Sequence, residues 1–244
     1  CCKLLILKRA PSRLLSGRSH VRFVFGAPPI TTGPGGRSGR SGLLEVVKLA
    51  CARGDRPLFR DLSFALQPGE LLHVRGENGS GKTTLLRTLC GLSQPAAGEI
   101  RWNSRRIQDL PEEYREQLCY IGHGNAIHGD LTPVENLQFE ACLGAEDRIE
   151  AKPALESQGL GRVANLPAKL LSQGQKRRVA LARLTVLTRA LWVLDEPFTA
   201  LDVRAVGRLL ATLARHLDRG GLCILTSHQE VTVADWPVRT LTLG

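Results

Sequence analysis

The chain has 244 residues, of which 43% are apolar, with a mean hydropathy of −0.08 and a formal net charge of +10 at pH 7. This length and composition support a globular protein with one sizeable hydrophobic core, or one core with a small satellite. The longest apolar runs, at 191–194 and 222–226, have the length of strands and fall far short of the roughly 18 residues that a membrane helix needs. A membrane role would therefore require a partner.

The net charge is unevenly distributed along the chain. Residues 1–42 contain eight lysine and arginine residues and no acidic residue, so eight of the ten net positive charges lie there. A domain that binds duplex nucleic acid normally concentrates positive charge on its folded surface. The nearly neutral body therefore argues against a nucleic-acid partner.

Residues 1–42 are expected to form an extension that is disordered or not natively part of the protein. Its last part, TTGPGGRSGRSG, predicts a flexible segment. Three interpretations compete: an Arg-rich, acid-poor targeting peptide, a basic tail that contacts anionic lipid or a partner, or sequence that is not native. The start at Cys1 and the absence of methionine favour the third.

The seven cysteines predict no disulfide framework and no zinc site. They form no C-x-x-C pair, and no histidine lies at metal-ligand spacing from them. An odd, scattered set is typical of reduced thiols in a cytosol. Cys90, Cys119 and Cys223 stand in apolar segments, so we expect them to be small buried hydrophobic residues.

From Gly42 onward the pattern predicts an α/β domain that spans residues 43–244. Strands are predicted in LLEVVKLAC, LFRDLSFAL and LLHVRG, and the last runs directly into a glycine-rich loop and a helix. Residues from about 105 to 175 are more polar and predict a helical insertion. After it the sequence alternates helix, strand (LWVL), helix (VRAVGRLLATLARHL) and strand (LCILT), which is typical of a parallel sheet.

The loop GENGSGKTT, Gly76–Thr84, fits the pattern G-x-x-x-x-G-K-[ST]. Its glycines allow backbone N–H groups to turn around phosphate oxygens, and the following helix directs the positive end of its dipole at them. Lys82 is placed to reach the β- and γ-phosphates, and Thr83 to bind Mg²⁺. The candidate nucleotide-binding residues of this loop are Gly76, Asn78, Gly79, Ser80, Gly81, Lys82, Thr83 and Thr84.

Two later strands also end in residues that suit phosphate chemistry. LWVL leads into Asp195, placed to support the Mg²⁺ shell, and Glu196, placed to polarise a water against the γ-phosphate. Two adjacent carboxylates can also form an ordinary solvated turn, but the glycine loop upstream favours the catalytic interpretation. LCILT leads to His228. A lone histidine is more often structural, but three strand ends that each carry a phosphate-handling group favour a catalytic one.

The segment LSQGQ, at 171–175, begins a predicted helix with four basic side chains, and this combination is typical of an anion site. After the glycine loop, the chain presents LSQGQ, then LDEP, then TALD at Thr199–Asp202, then TSH. This order resembles the nucleotide-binding domain of ABC transporters. The resemblance covers residues 43 to about 235.

The resemblance implies a P-loop NTPase fold of the ABC type, with an antiparallel β subdomain and a helical insertion, and an ATPase that uses ATP and Mg²⁺. It also implies a head-to-tail dimer, in which LSQGQ of one subunit caps the γ-phosphate bound to the other. Ser172, Gly174 and Gln175 would then serve the partner's ATP, and Asp202 would link the two sites. Gln173 departs from the commonest glycine, a mild change because Ser172 and Gly174 remain.

Two further positions depart from the general ABC pattern. Most such domains have a glutamine between the core and the helical insertion, and here His123 occupies that place, followed by Gly124 and Asn125. The histidine or the asparagine can still ligate water or the metal ion, so His123 is a candidate Mg²⁺ ligand. Arg53 occupies the place of the aromatic residue that stacks on adenine. Its planar guanidinium can stack on a base, or it is a solvated loop arginine.

Within ABC domains, the chain resembles the ATPase subunit of the cytochrome c maturation system, often called the heme exporter. The similarity lies in LLRTLCGLSQPAAGEIRW, CYIGHGNAIHGDLTPVENLQF, LSQGQKRRVALARL, WVLDEPFTALD and TSHQE. It implies integral membrane permease subunits and a second copy of this chain as partners, at the cytoplasmic face of the inner membrane. Direct heme ligation is not expected, since the sequence has neither C-x-x-C-H nor a suitable histidine pair.

Other functions compete with heme export. The chain could serve another ABC exporter, or it could be a soluble ABC ATPase that acts on nucleic acid. Repair ATPases of that kind insert a long coiled coil between the glycine loop and the segment that corresponds to LSQGQ, whereas here Lys82 and Ser172 are only 90 positions apart. Translation-type members carry two such domains, and this chain has one. Within the heme-exporter family, transport of heme and release of a heme-loaded chaperone both remain open.

Overall fold

The computed structural model describes residues 22–24, 42–54, 56–144, 149–228, 230–233 and 236–244. Within these ranges the chain forms a six-stranded sheet and a four-stranded sheet. The strands are β1 (Arg22–Val24), β2 (Leu44–Arg53), β3 (Arg56–Leu66), β4 (Leu71–Gly76), β5 (Ala97–Trp102), β6 (Arg105–Arg106), β7 (Leu118–Ile121), β8 (Leu191–Leu194), β9 (Leu222–Thr226) and β10 (Val238–Leu243). The helices are α1 (Lys82–Leu89), α2 (Pro111–Glu116), α3 (Pro133–Leu143), α4 (Ala151–Ser157), α5 (Gln173–Val186) and α6 (Val203–Asp218), with short 3-10 turns at Ile107–Asp109, Gly161–Val163 and Ala168–Leu170.

The smaller sheet is antiparallel, with strand order β3-β2-β5-β6. Leu44 of β2 lies opposite Leu66 of β3 on one side and Trp102 of β5 on the other. These three residues are buried, because alternate side chains of a strand point to the same face and this face packs on the core. The sheet is the antiparallel β subdomain that the resemblance implied.

The larger sheet has the order β1-β10-β4-β9-β8-β7, and its strands from β10 to β7 are parallel. All described residues of β8 and β9 are buried, because both faces of the sheet are covered. One face packs with α1 and the antiparallel sheet, and the other packs with α5 and α6. The register pairs Val74 with Thr226 and Leu194 with Leu225, so β4, β8 and β9 end at the same edge.

The region from about 105 to 175, predicted as a helical insertion, differs from that prediction at its start. It includes β6 and also β7, which pairs in parallel with β8 and forms one edge of the larger sheet. The helical layer begins later, at α3, and α3, α4 and α5 share a core with Leu137, Leu155 and Val179. The strand β7 has only four residues between polar segments, which is too short to show a periodicity.

Most of the predicted N-terminal extension, residues 1–21 and 25–41, lies outside the described residues. Within the extension, β1 pairs antiparallel with β10, and Phe23 lies opposite Leu241. A three-residue strand in an acid-free, Arg-rich segment has no recognisable pattern, which is why the sequence did not indicate it. At the predicted boundary, Gly42 is buried and packs so closely on Trp102 that a Cβ would overlap the ring.

Cysteine burial follows the sequence-based expectation. Cys90, Cys119 and Cys223 are buried, and burial raises the pKa of all three thiols, that of Cys119 to about 11. These cysteines are therefore protonated at neutral pH and pack as small apolar groups. In the described part of the chain, the helices all lack the length and apolar character that a membrane crossing requires.

Candidate active site

A cleft of about 430 Å³ opens where β4, β8 and β9 end. It brings together most of the residues that the sequence singled out, from segments that are up to about 170 positions apart. The lining residues are Arg53, Arg56, Leu58, Asn78, Gly79, Gly81, Lys82, Thr83, Thr84, His123, Asp195, Glu196 and His228. Gly76 and Ser80 line an adjoining cavity on the other side of the same loop.

The glycine loop after β4 has a backbone that other residues would not adopt easily. Gly76, Gly79 and Gly81 have φ values of +152°, +84° and +98°. A Cβ at Gly76 would lie 2.4 Å from the carbonyl oxygen of Leu243, whereas a Cβ at Gly79 would meet nothing within 4 Å. The loop is thus packed against β10 at its base and open at its tip, which leaves room for a phosphate chain.

Lys82 is the first residue of α1 and lies inside the loop. Its Nζ donates hydrogen bonds to the carbonyl oxygens of Gly76, at 2.8 Å, and Glu77, at 3.0 Å. The first N–H groups of a helix have no acceptor within the helix, and the helix dipole adds positive potential at the same point. The ammonium and the helix start therefore give this end of the cleft the electrostatics of a phosphate site.

Asp195 is 2% exposed and is held by hydrogen bonds at both carboxylate oxygens. Its Oδ2 accepts from Thr83 Oγ1 at 2.9 Å, and its Oδ1 accepts from Thr226 Oγ1 at 2.7 Å. Thr83 and Asp195 thus present neighbouring hydroxyl and carboxylate oxygens, the hard donors that Mg²⁺ prefers. His123 lines the same cleft, as predicted, on the loop after β7.

Glu196 presents its carboxylate to the cleft from a left-handed backbone, with φ +49°. Its Oε1 is buried and has no hydrogen-bond partner among the described residues. His228 Nε2 lies 3.5 Å from this oxygen, close enough for an ion pair if the histidine is protonated. A carboxylate oxygen that is screened from bulk solvent and has no donor is arranged to accept a proton or a hydrogen bond from a bound water.

Arg177 is a site residue that the sequence analysis did not single out. It lies on α5, is 3% exposed, and donates to the carbonyl oxygens of Asp195, Glu196 and Gly122, at 2.8, 2.8 and 2.9 Å. Burial lowers the pKa of Arg177 below its ordinary value, and the nearby Asp195 carboxylate opposes that shift. In the sequence it is one of four basic side chains on the predicted helix that begins at LSQGQ. The available signal was that Arg177 lies three positions before Ala180, which places both on the same, buried face of α5.

The predicted partner-facing residues Ser172, Gly174, Gln175 and Asp202 lie outside the cleft of their own chain. Ser172 caps α5 in a capping box with Gln175: the Ser172 N–H donates to Gln175 Oε1 at 2.8 Å, and the Gln175 N–H to Ser172 Oγ at 3.2 Å. A Cβ at Gly174 would lie 2.6 Å from the carbonyl oxygen of Ala200. Asp202 caps α6 by accepting from the Ala205 N–H at 2.7 Å, and this bond lowers the pKa of Asp202. The LSQGQ and TALD segments are therefore packed together.

Comparisons with known proteins agree with this geometry. Residues 59–199 match the family described as ABC transporter. The chain is 52% identical over 204 residues to the cytochrome c biogenesis ATP-binding export protein CcmA of Dechloromonas aromatica, covering 83% of this chain and all of that relative. The protein of the same name in Escherichia coli strain K12 is 46% identical over 83% of this chain and 97% of its own length.

The fold shows the same relationship. A solved structure described as a putative ABC transporter ATP-binding protein from Pyrococcus furiosus superposes with a TM-score of 0.71 and 26% identity. The superposition covers 82% of this chain and 97% of that one. With the glycine loop, the acidic strand end and the LSQGQ helix arranged as described, this chain belongs to the ABC transporter family and is one of its ATP-hydrolysing, ATP-binding subunits.

Proposed function

We propose that this chain is the ATP-hydrolysing subunit of a membrane ABC transporter complex for cytochrome c biogenesis. The observation that carries the proposal is the 52% identity that extends over the whole length of a relative named for that process. The cleft supports it, since the phosphate loop, the acidic strand end and His228 are all in place. The complex either exports heme or releases a heme-loaded chaperone, and this subunit does not ligate heme itself.

Some residues of the cleft would bind the nucleotide and its metal ion, and others would activate the attacking water. The phosphates of ATP are bound by Lys82, by Gly76 and by the loop amides from Asn78 to Thr84, which include that of Ser80. Thr83 and Asp195, with His123, would hold Mg²⁺, which would supply positive charge against the phosphate oxygens.

Glu196 polarises the attacking water, and His228 acts beside it on the γ-phosphate. His228 Nε2 and Glu196 Oε1 are 3.5 Å apart, and this short distance supports a joint role for the two side chains. At the other end of the cleft, the guanidinium of Arg53 stacks on the adenine. Arg56 and Leu58 line the same part of the cleft and add to that surface.

We further propose that two copies of the chain close head to tail over two ATP molecules. Ser172, Gly174 and Gln175 would then contact the γ-phosphate bound by the other copy, and Asp202 would link the two sites. Their position outside the cleft of their own chain supports this arrangement. Integral membrane permease subunits would attach the dimer to the cytoplasmic face of the inner membrane.

The test is to express a tagged chain in its native host, solubilise the membranes and identify the copurified polypeptides. We expect permease-type membrane proteins in stoichiometric amounts, together with loss of c-type cytochromes when Lys82→Ala replaces the wild type. Normal c-type cytochromes in the Lys82→Ala strain would contradict the proposal. A heme-loaded chaperone trapped in the mutant's membrane complex would identify release, rather than heme export, as the driven step.

A further inference from the structure

The main chain of Glu196 is held in an uncommon conformation by two side chains from other elements. Residues other than glycine seldom adopt a left-handed backbone, and they keep it only where their surroundings impose it. The Glu196 N–H donates to Thr226 Oγ1 at 2.9 Å, and its carbonyl oxygen accepts from Arg177 Nη2 at 2.8 Å. The Thr199 N–H also donates to this carbonyl oxygen, at 3.2 Å, so a local turn and two side chains, from β9 and α5, together hold the conformation of Glu196.

Arg177 connects α5 to both loops that border the cleft. Its Nη2 also donates to the carbonyl oxygen of Asp195 at 2.8 Å, and its Nη1 donates to the carbonyl oxygen of Gly122 at 2.9 Å and to Asn125 Oδ1 at 3.3 Å. A guanidinium is a planar fork with fixed donor directions, so these bonds fix the segments relative to one another. Arg177 is 3% exposed, and removing it would take away the donor of the buried Asp195 carbonyl oxygen, while the Glu196 carbonyl oxygen would keep only the longer bond from the Thr199 N–H at 3.2 Å.

We propose that Arg177 is a positioning residue for ATP hydrolysis, which together with Thr226 clamps the main chain of Glu196 and so directs its carboxylate into the cleft. The inference rests on the proposed role of Glu196 in water activation. Arg177 does not line the cleft, and its acceptors are three main-chain carbonyl oxygens and Asn125 Oδ1, so its part of the clamp should affect the hydrolysis step and leave nucleotide binding unchanged. Because Arg177 and Ser172 lie on the same helix, the clamp also connects the LSQGQ segment to the subunit's own Glu196.

A purely structural role for Arg177 is the alternative that the experiment must separate. Arg183 provides the matched control, since it lies on the same helix and is 6% exposed. Its Nη1 pairs with Glu140 Oε1 at 2.8 Å, in the helical layer and away from the cleft. Arg177→Lys and Arg183→Lys therefore make the same chemical change in similar burial, and only the first alters contacts to Glu196.

The kinetic test measures kcat, KM for ATP and melting temperature for both variants of the full chain. We expect Arg177→Lys to lower kcat about 10–100-fold with an unchanged KM, because one ammonium nitrogen cannot replace the two guanidinium nitrogens that reach Gly122 on one side and Asp195 and Glu196 on the other, and a small displacement of a catalytic group is costly. Arg183→Lys should keep the wild-type kcat at a similar loss of melting temperature. A wild-type kcat in folded Arg177→Lys would overturn the inference, as would equal losses of kcat in both variants.

Two further variants keep the test decisive if Arg177→Lys fails to fold. Thr226→Val removes the other half of the clamp with almost no change of shape, and it should also lower kcat; the KM comparison is made with Arg177→Lys alone, because Thr226 Oγ1 also donates to Asp195, a proposed Mg²⁺ ligand. Arg177→Ala should regain part of its kcat when guanidinium is added at millimolar concentration, which a merely structural role does not predict. A wild-type kcat in Thr226→Val would overturn the clamp.

Glu196→Gln separates failure of this inference from failure of the proposed function. If Glu196→Gln hydrolyses ATP at the wild-type rate, the proposed role of Glu196 is wrong and the clamp has no catalytic group to position. If Glu196→Gln is inactive while the Arg177 and Thr226 variants are fully active, only the clamp is wrong. Loss of turnover in all three, with ATP binding retained in the Glu196 and Arg177 variants, supports both.

Discussion

At the scale of single residues, the proposed water-activating role of Glu196 rests on the surroundings of its carboxylate. Its side chain is 17% exposed, and Oε1 has no hydrogen-bond partner among the described residues. A screened carboxylate oxygen without a donor is unfavourable unless a ligand or water supplies one. These surroundings support the proposed role of Glu196, in which the oxygen accepts from the attacking water.

Glu196→Gln is expected to abolish turnover and to leave ATP binding intact. The amide has nearly the same shape but is a poor base, so kcat should fall at least about 100-fold while the Kd for ATP stays unchanged. Single-turnover hydrolysis and equilibrium nucleotide binding measure the two quantities. Glu99→Gln is the control, because Glu99 pairs with Arg101 and Arg106 on the antiparallel sheet and should keep the wild-type kcat. A parallel loss of ATP binding in Glu196→Gln would contradict this assignment.

At the scale of elements, the start of α5 and the loop before α6 are packed too closely for any side chain at Gly174. A Cβ there would lie 2.6 Å from the carbonyl oxygen of Ala200, a distance that real Cβ atoms almost never show. The Ala200 backbone is itself left-handed, with φ +62°, so it has little freedom to move away. The glycine of LSQGQ therefore has a packing role within its own chain, besides its proposed role toward a second copy.

Gly174→Ala is predicted to destabilise the protein by about 1–3 kcal/mol, because the new methyl group forces the two segments apart. Gly207→Ala is the matched control. Gly207 lies inside α6, and a Cβ there would meet nothing within 4 Å, so the change should stabilise the helix by about 0.5–1 kcal/mol. Denaturant unfolding of both variants measures the difference. Equal effects of the same sign would show that the contact with Ala200 does not limit stability.

The end of α6 is attached to the larger sheet through a half-buried histidine. The His216 ring stacks on Trp192 with 3.6 Å between the ring centroids, and its Nε2 lies 3.1 Å from the carbonyl oxygen of Leu222. Burial lowers the pKa of His216 to about 4, from an ordinary value of 6.5. Since the unfolded chain binds this proton more readily, the contribution to stability is complete above pH 6.5 and is lost as the pH falls toward 4.

His216→Phe is therefore expected to reduce the loss of stability between pH 7 and pH 4. The phenyl ring keeps the stack on Trp192 but cannot be protonated, so this loss should shrink by up to about 3 kcal/mol relative to wild type. Unfolding free energies measured at several pH values provide the comparison. Burial also lowers the pKa of His73, so some acid sensitivity should remain in the variant. Identical pH profiles for the two proteins would contradict a lowered pKa of His216 in the folded protein.

At the scale of the whole molecule, the arrangement of one chain is incomplete as an ATPase of the proposed kind. Lys82, Asp195, Glu196 and His228 share one cleft, whereas Ser172 lies outside it. If LSQGQ serves the ATP of a second copy, each site combines residues of two chains. A Lys82→Ala homodimer and a Ser172→Arg homodimer should then both be inactive.

Mixing those two inactive proteins is predicted to restore activity. In the heterodimer both defects fall in one site, and the other site keeps an intact Lys82 and an intact Ser172. Activity should reach at most about half that of wild type per heterodimer, and less if the two sites must act together. If crosslinked heterodimers remain inactive, an ATP-binding assay decides the cause: one tightly bound nucleotide indicates coupled sites, and none indicates that the signature acts within its own chain.

The sequence by itself determined the family and most of the cleft. The glycine loop, the Asp195–Glu196 pair and LSQGQ are contiguous segments, and their chemistry follows from the order of residue types within a few positions. The predicted strands and helices of the core follow from apolar patterns of the same short range. These features were therefore available before any contact was known.

Only the tertiary structure decided the contacts between distant segments. Arg177 reaches Gly122 across 55 positions, and Thr226 meets Glu196 across 30, so neither contact leaves a local pattern. The strand β7 belongs to the larger sheet because it pairs with β8, about 70 positions later, and its own four residues carry too little information. The left-handed backbone of Glu196 has the same origin, since packing against two other elements imposes a conformation that its residue type does not favour.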